Sequence, residues 1–149
     1  MDTIRSGIRE ELTMPGGKIF LNYRREDTAG YVRSLFDRLN ARFADQVFMD
    51  VSVLEPGVDF VEAIENAVGA CDALVVLIGR NWLTVTDATG QRRLLDPKDF
   101  VGLEISAALK RNVRVIPTLV SGAKMPSAED LPPALEPLTR KHALEITDH

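Results

Sequence analysis

The chain has 149 residues, 45% of them apolar and 27% charged, which suits one globular domain with one core. Its net charge of -4 argues against nucleic-acid binding through a broad basic surface. A single cysteine, Cys71, excludes an internal disulfide, the longest strongly apolar run (residues 73–78) is too short to span a bilayer, and the polar opening MDTIRSGIREELTMPGG is no secretory signal, so a cytoplasmic protein is expected.

Residues 1–17 read as a polar leader that ends in the breaker Pro15-Gly16-Gly17. Lys18-Ile19-Phe20-Leu21-Asn22-Tyr23 reads as a buried strand. Residues 28–43 then place Val32, Leu35, Phe36, Leu39 and Phe43 at helical spacing. A second strand is expected over 46–51 (QVFMDV), and a helix over 59–70 that buries Phe60, Ile64, Ala67 and Val68. The run ALVVLIG, residues 73–79, is apolar on both faces, as in a central parallel strand covered by helices on each side.

An irregular stretch over 80–95 contains the turn signal Asp87-Ala88-Thr89-Gly90. The next helix has a start signal in Asp96 as cap, Pro97 at the first position and Asp99 at the positive end, and it runs to about Arg111. RVIPTLV, residues 114–120, is a fourth strand, in which Pro117 predicts limited pairing on one side. Residues 127–135 form a short proline-rich piece, and HALEI, residues 142–146, an edge strand.

Strands separated by helices predict an α/β fold of three layers, flavodoxin-like, with a central parallel sheet of five strands. Ligands in such folds gather at the carboxyl ends of the strands, where strand order reverses. That edge carries Tyr23-Arg24-Arg25, Asp50-Val51 and Gly79-Arg80-Asn81-Trp82.

Five segments in order carry a resemblance: Asn22-Tyr23-Arg24-Arg25-Glu26-Asp27 after the first strand; Phe48-Met49-Asp50 followed by Leu54-Glu55-Pro56-Gly57-Val58-Asp59-Phe60; Cys71 to Gly79 with Asn81-Trp82-Leu83; Asp99 to Ile105; and Val115-Ile116-Pro117. Over about residues 18–146 the chain resembles TIR (Toll/interleukin-1 receptor) domains of the bacterial, NAD-cleaving type. Asn22 stands where the family usually has serine. Phe100 stands where many of its enzymes have tryptophan. The family usually continues into a final helix, so residues 18–149 are expected to be a TIR domain lacking that helix, within a longer protein.

The resemblance implies an NAD⁺ nucleosidase, a glycohydrolase or cyclase, with Glu104 as catalytic carboxylate and NAD⁺ as substrate rather than cofactor. Phe100, four residues before Glu104, shares its helix face. Arg24 and Arg25 are candidates for gripping pyrophosphate, or are exposed surface arginines. Tyr23 stacks on a base or joins the core. Trp82 lines the nicotinamide side of the pocket or caps the sheet edge. Asp50 contacts ribose or caps a loop.

Leu54, Glu55, Pro56, Gly57 and Val58 match the family's BB loop, which implies assembly with other TIR domains in antiphage immunity, triggered by a fused sensor domain. The alternative is a scaffold that recruits TIR domains without catalysis. Cys71 reads as a small core residue, His142 and His149 lack metal-ligand spacing, so no metal is expected, and Arg92-Arg93 decorates a solvated loop.

Overall fold

The computed structural model describes residues 17–49 and 56–146. Residues 1–16 of the leader, Asp50, Leu54 and Glu55 fall outside the described residues.

Five strands form one sheet in the order β2-β1-β3-β4-β5: β1 (Ile19–Asn22), β2 (Val47–Phe48), β3 (Ala73–Ile78), β4 (Arg114–Leu119) and β5 (Leu144–Glu145). Every pairing is parallel, as strand–helix–strand connections require. β3 is buried at all six positions. Its alternate residues serve opposite layers: Leu74, Val76 and Ile78 pack in one core, and Val75 and Leu77 in the other. The limited pairing expected around Pro117 fits, since β4 pairs with β3 along its whole length but with β5 only at Thr118 and Leu119.

Helix α1 (Arg25–Arg42) covers the face of Ile19, Leu21, Val75 and Leu77 with Val32, Leu35 and Leu39. The expected start at Thr28 marks a real feature, because Thr28 has non-helical dihedrals (φ -130, ψ 21) that kink the helix after its first turn. Helices α2 (Phe60–Gly69) and α3 (Phe100–Lys110) cover the other face. A 3₁₀ segment, Pro133–Arg140, closes that layer with Leu135 and Leu138.

Asp59 caps α2 by accepting from the Val61 and Glu62 N–H groups. The cap of α3 is Asp99, which accepts from Gly102 N, rather than the expected Asp96. Asp96 instead accepts from Lys98 N and forms a turn of its own, so the helix begins three residues later than its first start signal.

Candidate active site

Strand order reverses between β1 and β3, because the chain leaves β1 toward one edge and β3 toward the other. The turns after these two strands therefore diverge and leave a crevice. Asp27 joins them: its carboxylate accepts from Gly79 N at 2.8 Å and from Asn81 N at 2.9 Å. A Cβ built on Gly79 would sit 2.5 Å from an Asp27 oxygen. Asp27 is a short side chain held by both bonds and has little room to retreat. Gly79→Ala is thus expected to destabilise the fold by about 1–3 kcal/mol, read as a lowered melting temperature. A wild-type melting curve would show that Asp27 yields.

Beside the crevice lies a cleft of about 300 Å³ lined by residues that include Tyr23, Arg24, Arg25, Arg93, Lys98 and Phe100. Tyr23 is half-buried, lines the cleft and packs on the α1-side core. Phe100 is 46% exposed and stacks on Phe60, with ring centroids 5.6 Å apart. Arg25 is exposed.

Arg24, a candidate for gripping pyrophosphate, lines the cleft but is engaged within the fold. It is 3% exposed, and its guanidinium makes a two-pronged pair with Asp99, Nη1 to Oδ1 at 3.0 Å and Nη2 to Oδ2 at 2.6 Å. These two bonds tie the β1–α1 turn to the start of α3, while the buried Nε finds no partner among the described residues. Trp82 is corrected. Its indole is 1% exposed and belongs to the core with Leu94 and Ile78, so it does not face the cleft. An aromatic ring on the turn after β3 buries more apolar area by folding inward.

Arg93, expected to decorate a loop, lines the cleft and pairs with Glu26 at 3.3 Å. Lys98 joins it there. Neither carried a sequence signal, because both reach the cleft only through the path of the loop over residues 80–99. Asp87 adds a negative wall. The Thr89 hydroxyl and N–H donate to its carboxylate and hold it below its ordinary pKa.

Glu104 is not among the residues that line the cleft. It lies one turn beyond Phe100 and Val101 on α3, and at 8% exposure it is buried. The buried stripe of α3 is Val101, Glu104, Ile105, Ala107 and Ala108, so the carboxylate sits on the face turned to the sheet. Asn22 Nδ2 donates to Glu104 Oε1 at 2.8 Å and to Val101 O at 3.2 Å. This contact spans 82 residues, and no local pattern announces it.

Cys71 behaves as expected: it is buried, its Sγ donates to Ala67 O at 3.5 Å, and burial pushes the thiol pKa up. A second cleft, of about 460 Å³ between the end of α3 and strands β4 and β5, contains none of the candidate residues.

The family profile described as "TIR domain" matches residues 19–148. The chain belongs to the TIR domain family. Among solved structures it is similar to the TIR domains of the activated Roq1 resistosome directly recognizing the pathogen effector XopQ, at 20% identity and a TM-score of 0.53. That similarity covers 83% of this chain and 69% of the other. No curated protein matches at a significant level. The sheet order and its helices are those of the TIR fold, and among the described residues no helix is long and apolar enough to cross a membrane.

Proposed function

We propose that this TIR domain is an NAD⁺ nucleosidase that cleaves the nicotinamide–ribose bond with Glu104. The observation that carries this reading is a buried carboxylate, held by Asn22 on the helix that borders the cleft at the strand-order reversal. Such a crevice is where open α/β sheets bind ligands, and a buried carboxylate demands a reason.

The chemistry suits one carboxylate. The C1′–N bond breaks and its electron pair leaves with nicotinamide, which departs neutral and needs no general acid. Glycosidases whose leaving oxygen must be protonated need a second carboxyl group. Glu104 would stabilise the positive charge that develops on the ribose. Water then adds to C1′ and gives its proton to solvent, yielding ADP-ribose. Attack by a group of the same ADP-ribosyl unit would instead give a cyclic product. Arg25, Arg93 and Lys98 are the cleft cations suited to pyrophosphate. Phe100 offers its exposed ring to a base.

A cleft of about 300 Å³ lies at the small end of ligand sites, and Glu104 stands behind it. Both features suit an enzyme completed by a neighbouring TIR domain, consistent with the assembly proposed for antiphage immunity in the bacterial cytoplasm. Pro56 and Gly57 form a turn with Gly57 at φ 85, a region that side chains avoid. Val58 and Val61 are exposed beside it. Gly57→Val is therefore expected to lower activity several-fold at dilute protein and much less at high concentration, measured as specific activity against concentration. A loss independent of concentration would count against the loop's role in assembly.

The burial of Glu104 also favours a second reading, a scaffold that only recruits TIR domains. Nicotinamide release from NAD⁺ by the purified chain, followed by chromatography, tests the enzyme reading and identifies the product. Release supports the enzyme. Its absence, at high protein concentration as well, would leave the scaffold.

A further inference from the structure

We infer that Asn22 is a positioning residue that holds the Glu104 carboxylate in its working orientation, an inference that rests on the reading of Glu104 as the catalytic group. Asn22 ends β1 and shares a sheet face with Phe20, which packs in the α2–α3 layer. An apolar side chain would complete the core at that position. The structure instead buries a carboxamide there, at 0% exposure.

Its two contacts define its orientation. Nδ2 donates to Glu104 Oε1 at 2.8 Å and to Val101 O at 3.2 Å. Both partners are acceptors, so a flipped amide would set oxygen against oxygen. In the orientation that works, Asn22 Oδ1 is buried and finds no hydrogen-bond partner among the described residues. A buried acceptor without a partner costs stability. The position is therefore poor as packing, and its benefit lies at the carboxylate.

That benefit is geometric. A glutamate side chain has several rotamers and must be held to present its oxygens in one place. Asn22 holds it from β1, which is paired on both sides within the sheet. The same amide grips the backbone of α3 through Val101, one turn before Glu104. Donor and carboxylate thus keep their registry if α3 shifts during assembly.

The test compares NAD⁺ kinetics of the wild type with Asn22→Leu, Asn22→Ala and Asn22→Ser, each with its melting temperature. Asn22→Leu fills the volume without a donor. It is expected to melt somewhat below the wild type, because the buried Glu104 carboxylate loses its donor, while kcat, assayed well below both melting temperatures, falls about 10–100-fold with KM nearly unchanged. Asn22→Ala should show the same loss of kcat, and Asn22→Ser, which restores a donor, should recover part of it. Unchanged kcat in the Leu and Ala variants, or losses that follow the melting temperature, would overturn the inference.

A second measurement separates this inference from the reading beneath it. The Asn22 side-chain amide signal in a ¹⁵N NMR spectrum should move in Glu104→Ala. If the wild type releases no nicotinamide, the catalytic reading fails and the amide alone judges the contact: a shift sustains it, and an unmoved signal refutes it.

Discussion

Glu104→Ala is expected to lower nicotinamide release from NAD⁺ by at least about 10²–10³-fold, the usual effect of deleting a preorganised electrostatic group. The substitution removes a buried carboxylate and leaves Asn22 Nδ2 its bond to Val101 O, so the fold should survive. Glu104→Gln separates charge from shape, because it keeps the side-chain volume and an oxygen that can accept from Asn22. It should melt near the wild type and be as inactive as Glu104→Ala. Chromatographic assay beside circular-dichroism melting reads both effects. Activity retained in either variant would remove Glu104 from the chemistry and turn attention to the carboxylates that line the cleft, such as Asp87 and Asp96.

The second large effect concerns stability. Arg24 and Asp99 form a buried ion pair, with side chains 3% and 8% exposed, and removing one partner strands the other charge. Arg24→Met is expected to cost about 3–5 kcal/mol, a drop in melting temperature of roughly 6–20 °C for a domain of this size. Asp99→Asn in the same chain should restore much of that loss. It removes the stranded charge while keeping an oxygen to cap α3 at Gly102 N. Similar melting of Arg24→Met and the wild type would mean that the pair contributes little. Because the pair joins the β1–α1 turn to the start of α3, the single variant should also reduce any activity that depends on Glu104.

Residues at a crevice edge can be named from order along the chain, but their roles depend on partners far away in sequence. Arg24 and Arg25 are adjacent and identical in type. Yet Arg24 is buried against Asp99, 75 residues on, while Arg25 faces solvent. Trp82 and Phe100 are both aromatic residues near the cleft, and only Phe100 is exposed to it. The chain's periodicity could not separate these cases, since each depends on which element packs opposite.

The sequence by itself determined the alternation of strands and helices, the parallel sheet and the family, because those follow from local periodicity and from motifs in order. It also located Glu104 and Phe100 on one helix and Pro56-Gly57 in a turn. Only the tertiary structure decided that Glu104 turns inward onto Asn22, that Asp99 rather than Asp96 caps its helix, and that Arg93 and Lys98 reach the cleft. Helical spacing defines a face but not what that face meets. The buried stripe of α3 accepts a carboxylate only because β1 ends in an amide that can donate to it.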